Sequence, residues 1–263
     1  VLGATFSPCV VIPCYNHGAM MASVLTRLAP FNLPVIVVDD GSDAATQLQL
    51  ATLHAPQLSV LRLDSNQGKG AAVIHGLRAA AARGFTHAVQ IDADGQHQAE
   101  DLPLMLAEAQ RYPDWLISGQ PLYDDSIPKS RLYGRYITHF WVWVETLSLS
   151  IRDSMCGFRV YPLAPALALC DRRAIGQRMD FDTEIMVRLY WQGTRSRFIS
   201  TRVTIRPVVC RTLMRSMTTC ASPGCIPDSF SACCRESRVC WRCAGRQLTG
   251  RPNRNAAGSG DYV

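Results

Sequence analysis

The sequence predicts an α/β fold built on one mainly parallel sheet. Short β-branched runs alternate with helix-period stretches through the first 204 residues. The polar clusters Tyr15-Asn16, Asp39-Asp40, Asn66-Gln67 and Asp92-Ala93-Asp94 fall where strands end, and ligands collect there in such sheets. No apolar run reaches the roughly 18–20 residues needed to span a bilayer. The most apolar stretch, from Tyr136 to Ser150, is interrupted by His139 and Glu145.

The elements follow in order. CVVIP at 9–13 reads as a buried strand, and a helix follows from Gly18 to Leu28 with Met21, Val24, Leu25 and Leu28 on one face. Pro34–Asp39 is a second strand. Asp43 then suits the N-cap of a helix through Leu53, because its side chain can accept an unpaired N–H of the first turn. Ser59–Leu63 is a third strand, and the Ala-rich stretch Gly68–Arg83 is a helix stopped by Gly84. His87–Ile91 is a fourth strand, Glu100–Arg111 a helix and Trp115–Ser118 a fifth strand. A loop with Pro121 and Pro128 leads to a helix near Ser130–Ser150. Cys156–Tyr161 and Arg197–Val203 read as further strands, with a helix at Phe181–Gln192 between them. Strand-then-helix order implies right-handed crossovers.

Composition narrows the function classes. The chain has 263 residues, 48% hydrophobic and 18% charged, which excludes a disordered or collagen-like chain. The formal charge of +6 is not spread evenly. Lys+Arg and Asp+Glu balance up to Thr204, and Ile205–Val263 carries the whole excess as 9 Arg against 3 acids. A neutral body with no basic face argues against nucleic acid as a partner. The chain opens on Val1 rather than Met and shows no basic-then-apolar leader, so its start reads as a fragment edge.

The tail has no trustworthy helix or strand period and holds 7 of the 11 cysteines but no His. Cys240-x-x-Cys243 offers one zinc-like pair without a clean partner pair. Back-translated and read one frame over, Ile205–Phe230 can encode YPAGGVSHFDALHDNLRISWMHTRLF, so the tail reads as frameshifted and poorly ordered. Residues 1–204 are the expected catalytic domain, and 205–263 the irregular Cys/Arg-rich tail.

Several groups could carry chemistry. Asp92 and Asp94 stand just past an apolar strand. Two close carboxylates repel, and a hard divalent cation shared with a diphosphate relieves the repulsion. An Asp-Gly turn capping the next helix is the bland alternative. Gln96 and His97 are further ligand candidates. Asp39-Asp40 could accept hydrogen bonds from a base edge or a ribose, or satisfy the Gly41-Ser42 turn. A dehydrogenase is disfavoured, because Pro13-Cys14-Tyr15-Asn16 stands where that fold needs a Gly-rich turn. Gly68-Lys69-Gly70 fails as a phosphate loop, since Gly70 follows the lysine and Leu63 stands where a glycine is required. The two glycines are expected to let a helix start pack close to a nucleotide or the sheet, and Lys69 reads as a plain solvated charge. Lys129, Arg131 and Arg135 open a helix and could clamp a phosphate. Asp153, Gly157 and Arg159 form a compact polar group. Asp180, Asp182 and Glu184 open a helix, where the dipole favours acids anyway.

The blocks VVIPCYN (10–16), VIVVDDGSD (35–43), NQGKGAAVIHGL (66–77), VQIDADGQH (89–97), DSMCGFRVYP (153–162) and MDFDTEIMVRL (179–189) resemble glycosyltransferase family 2. The closest flavour is its polyprenyl-phosphate, dolichol-phosphate-mannose-synthase-like branch. The resemblance implies a GT-A fold, a Rossmann-like three-layer α/β/α sandwich with a mainly parallel mixed sheet. It implies metal-dependent, inverting transfer of a sugar from a nucleotide-diphosphate donor to an acceptor, a polyprenyl phosphate at the membrane surface or else a hydroxyl; the aberrant tail leaves a non-catalytic nucleotide-sugar-binding remnant as the alternative. Pro13, Tyr15, Val38 and Asp40 would frame the base and ribose. Asp92, Asp94 and Gln96 would bind Mg²⁺ or Mn²⁺, with the backbone of Ala93 nearby. Arg131, Arg135 and Arg159 would meet the acceptor phosphate, and Asp153 or Asp182 would take the proton of a hydroxyl acceptor. The protein would then lie in the cytoplasm, peripheral to the inner face of the membrane. His17 stands where that branch usually has Glu, and Gln120-Pro121 where it often has an Arg.

Overall fold

The computed structural model describes residues 5–55, 57–122 and 129–202. The tail read as frameshifted, 205–263, lies outside the described residues.

Strand β1 (Pro8–Cys14) leads to α1 (Gly18–Leu28), β2 (Val35–Asp39), α2 (Ala44–Ala51), β3 (Leu58–Arg62), α3 (Lys69–Ala82) and β4 (His87–Gln90). Then come α4 (Leu102–Arg111), β5 (Leu116–Leu122), α5 (Lys129–Thr146), β6 (Arg159–Pro162), α6 (Leu163–Arg172), α7 (Phe181–Trp191) and β7 (Ser196–Arg202). The sheet order is β3-β2-β1-β4-β6-β5-β7. All pairings are parallel except those of β6, which runs antiparallel to both β4 and β5. The expected α/β architecture with a mainly parallel mixed sheet is present.

Alternation along the strands builds the layers. In β1, Cys9 and Val11 join a core with Ile36, Val38, α3, α6 and α7. Val10, Ile12 and Cys14 face the other way, into a core with Val35, Val37, α1 and α4. Successive strand side chains point to opposite faces, so one buried run feeds both layers. Local signals behave as expected. Asp43 caps α2 by accepting from the Thr46 N–H at 2.8 Å, and Gly84 takes φ +83° just beyond α3.

One helix was not expected. Helix α6 starts at Leu163, with Pro165 inside its first turn. A first-turn proline gives up an N–H that has no intrahelical partner anyway.

Helix α3 lies very close to the sheet through Gly76. A Cβ there would sit 2.3 Å from Val11 Cγ1 and 3.2 Å from Val38 Cγ2. Gly76→Ala is therefore expected to cost about 1–3 kcal/mol, the range for overpacking a filled core. Urea unfolding should show this as a lower midpoint at unchanged slope.

The chain order sets where a ligand can enter. β2 and β3 lie to one side of β1, and β4 lies to the other. The crevice between the carboxyl ends of β1 and β4 is the topological switch point. Tyr15-Asn16 and Asp92–Asp94 leave the sheet there.

Candidate active site

The loops around the crevice are stitched together by backbone hydrogen bonds. Asn16 N–H donates to Ser42 Oγ at 3.0 Å, and Asp43 N–H donates to Asn16 Oδ1 at 2.9 Å. Asp40 is buried and accepts from the N–H groups of Gln67 and Gly68, each at 2.8 Å. Asp39 accepts from Ser42 N–H at 3.0 Å and pairs with Arg62 at 2.5 Å. Both acids thus hold loops. Tyr15 is 45% exposed at the crevice, and Pro13 is buried behind it. Val38 is a correction. Its side chain is fully buried in the α3 layer, so it cannot frame a base.

The acidic turn after β4 is tied to α3 and α7 by a lysine. Lys69 Nζ lies 2.9 Å from Asp92 Oδ1, 3.0 Å from Asp92 Oδ2 and 2.7 Å from Asp182 Oδ2. Lys69 is therefore no plain solvated charge, because it bridges two carboxylates in a largely buried position. Burial pulls its pKa down, but Asp92 and then Asp182 push it up further, leaving it above the ordinary lysine range. Burial pushes the Asp92 carboxyl up. Lys69 foremost, then His97, outweigh that and hold it well below the usual carboxylate range. The contribution of Asp92 to stability is present above its unfolded pKa of about 3.9 and is lost as pH falls through its lower folded value. That of Lys69 is present below about 10.4 and is lost as pH rises through its higher folded value. The bridge persists between those limits.

A buried polar chain continues from it. Asp182 Oδ1 accepts from Gln90 Nε2 at 3.2 Å, and Gln90 Oε1 accepts from the Tyr161 hydroxyl at 3.1 Å. Burial drives the Tyr161 pKa up to about 12, so the hydroxyl stays a donor. Arg159 is fully buried. It donates to the carbonyls of Asp182 and Ser154, the latter at 2.7 Å. Its expected contact with an acceptor phosphate is corrected, since a side chain with no exposed surface positions backbone instead.

Asp153 is likewise spent. Oδ1 accepts from Met155 and Cys156 N–H at 2.8 and 2.9 Å, and Oδ2 accepts from Arg135 Nε at 2.9 Å. Neither Asp153 as a proton acceptor nor Arg135 as a free phosphate clamp fits this ion pair. Arg131 lies on α5, with its side chain outside the described residues. Asp180 and Glu184 order the loop before α7, accepting from the N–H groups of Arg178 and Gly176 at 3.1 and 2.7 Å. Gly68 and Gly70 pack against that loop. Added Cβ atoms would lie 2.4 Å from Gln177 O and 2.6 Å from Gly176 O.

Sequence reasoning missed Lys69, Gln90, Tyr161 and Arg27. Arg27 donates to the carbonyls of Gly95 and His97 at 3.0 and 2.7 Å and so fixes the acidic turn. A lone Gln in the apolar strand His87–Gln90 was the available signal for the buried chain.

Asp92, Asp94 and Gln96 offer oxygen donors of the hard kind that Mg²⁺ or Mn²⁺ prefers. Asp94 Oδ1 accepts from Gln96 N–H at 3.0 Å, so the turn is already formed. Among the described residues no group of three or more His, Cys, Asp or Glu could hold an ion. Any ion there would need further oxygens from a ligand to complete its shell.

The model of glycosyl transferase family 2 matches residues 9–178. The chain belongs to that family. It is 31% identical over 202 residues to dolichyl-phosphate beta-glucosyltransferase of Drosophila melanogaster, covering 67% of this chain and 60% of that protein. It is 34% identical over 193 residues to undecaprenyl-phosphate mannosyltransferase of Micrococcus luteus, covering 70% and 78%. The chain thus spans less than two thirds of the Drosophila relative. S. aureus TarS 1-349 in complex with UDP superposes with a TM-score of 0.54 at 17% identity, over 76% of this chain and 61% of that 1-349 chain. That likeness speaks for the fold. The family 2 blocks cover the loops at the carboxyl ends of β1, β2 and β4, which build the crevice.

Proposed function

We propose that this family 2 chain is a metal-dependent, inverting glycosyltransferase that moves a sugar from a nucleoside-diphosphate donor to a polyprenyl phosphate. The supporting observation is the acidic turn Asp92–Asp94 at the switch-point crevice, backed by the Lys69 bridge to Asp182. On this reading Tyr15, Pro13 and the Asp40 loop flank the nucleoside. Asp92, Asp94 and Gln96 hold Mg²⁺ or Mn²⁺, which supplies charge stabilisation to the departing diphosphate. Attack from the opposite face of the sugar inverts the anomeric carbon.

The state of the acids favours a phosphate acceptor over a hydroxyl. A hydroxyl needs a free base, and neither acid is free: Asp153 pairs with Arg135, and Asp182 shares Lys69 with Asp92. A lipid phosphate is already an anion and needs none. Arg131 is the cation on α5 that this reading assigns to it. A panel of nucleotide sugars with Mg²⁺ or Mn²⁺, scored by thermal shift and by label transfer to a lipid phosphate, tests the proposal. Absence of both signals across the panel rejects it.

A lipid acceptor also needs a bilayer-facing surface. No helix among the described residues is long and apolar enough to cross a membrane. On α5, however, Tyr136, Ile137, Phe140, Trp141 and Val144 are 45–62% exposed. The same helix carries Lys129, Arg131 and Arg135 against one acid, Glu145. Aromatic and aliphatic side chains with basic residues on one helix are the pattern of an interfacial helix. The pair Phe140→Glu and Trp141→Glu is expected to reduce co-sedimentation with anionic vesicles at least about tenfold, from the apolar area lost and the charge added. The thermal midpoint should barely move, because both side chains are largely exposed.

The frame reading of residues 205–263 is tested separately by the gene's nucleotide sequence. It fails if no alternative frame encodes the segment.

A further inference from the structure

We propose that Lys69 is a built-in counter-cation that keeps a divalent ion off Asp92 until a diphosphate is present. The inference rests on reading Asp92 as an ion ligand. Lys69 Nζ is almost equidistant from the two Asp92 oxygens, at 2.9 and 3.0 Å, and so faces the whole carboxylate. Asp92 Oδ2 is crowded on two further sides, while the side chain keeps 23% exposure. Gly157 backbone packs so tightly that a Cβ there would lie 2.3 Å from Asp92 Oδ2. His97 Nε2 stands 3.7 Å from the same oxygen.

An ion bound to Asp92 would therefore share a few ångströms with an ammonium that Asp182 holds from behind. Like charges at that range weaken ion binding at least about tenfold, even at a high effective dielectric. A nucleoside diphosphate changes the balance. Its oxygens offer the ammonium a new partner and complete the ion's shell. Ion and nucleotide then bind with positive coupling, and in the empty site the lysine stays on its two carboxylates.

Mn²⁺ alone is the probe, with free ion read from its paramagnetic resonance signal and no nucleotide, donor or acceptor present. Lys69→Gln is expected to bind Mn²⁺ at least about tenfold more tightly than the unaltered chain. Lys69→Arg, which keeps the charge, should bind as weakly as the unaltered chain. Should Lys69→Gln not fold, as judged by far-UV circular dichroism, the double substitution Lys69→Gln with Asp182→Asn is compared with Asp182→Asn alone and carries the same expectation against that reference. Equal or weaker Mn²⁺ binding in the folded charge-removing variant overturns the proposal. The result is independent of transfer. Sugar transfer with unchanged Mn²⁺ affinity sinks only the role of Lys69, whereas the affinity gain without transfer from any donor sinks only the enzymatic reading.

Discussion

Asp94→Ala is expected to abolish metal-dependent donor binding and to lower sugar transfer by about 10²–10³, the usual loss when one preorganised electrostatic contact to a leaving group is removed. Its fold should survive. Asp94 is only partly buried, and its recorded partner is the Gln96 N–H two residues on. Losing such a turn contact costs roughly 1 kcal/mol or less. Asp92→Ala differs although it lies two residues away. Asp92 faces Lys69, so its removal leaves a buried ammonium with Asp182 alone. Losing that charge-assisted contact costs about 1.5–3 kcal/mol. Function and stability should therefore separate in the Asp94 variant and fall together in the Asp92 variant. Label transfer and thermal unfolding on both proteins measure this. Donor binding by Asp94→Ala equal to that of the unaltered chain, with Mg²⁺ or Mn²⁺ present, would remove the basis for a donor diphosphate at this turn.

The contrast shows which parts of the site a sequence can carry. Asp94 and its turn are local. Their position after an apolar strand places them at the carboxyl end of β4, and strand-helix alternation then places them in the crevice. The Asp43 cap and the stop at Gly84 were legible for the same reason, since the groups that satisfy them lie within a few residues. Lys69 was not legible. Its partner Asp182 is 113 positions away, on α7, and no local pattern points to it. Alone, a lysine between two glycines at a helix start is most simply a solvated charge. Arg159 was misread for the opposite reason. Its block looked functional, but alternation in the strand Arg159–Pro162 sends it with Tyr161 to a buried face. Val38 was misplaced by the same rule, since its neighbours mark a ligand site while its own side chain points into the α3 layer.

Arg159 makes the second large effect a matter of stability. A guanidinium with no exposed surface would be expensive to bury unless its donors were used, and its terminal amines reach the carbonyls of Ser154 and Asp182 and the Tyr161 hydroxyl. Those acceptors lie on three segments: the loop before β6, the start of α7, and β6 itself. Arg159→Met keeps much of the volume but strands the carbonyls. Two charge-assisted hydrogen bonds at about 1.5–3 kcal/mol each, offset by the relief of no longer burying a charge, give a net loss of about 3 kcal/mol. For a domain of this size that lowers the thermal midpoint by roughly 6–12 °C. Arg159→Lys should recover little, because one ammonium on a flexible stem cannot span the planar fork's two carbonyls. Transfer measured well below the midpoint should also fall, because the Asp182 backbone is released while its carboxylate must still meet Lys69. A lowered midpoint with unchanged transfer would confine Arg159 to the core. An unchanged midpoint would mean that the two carbonyls find other donors and that the buried guanidinium holds nothing together.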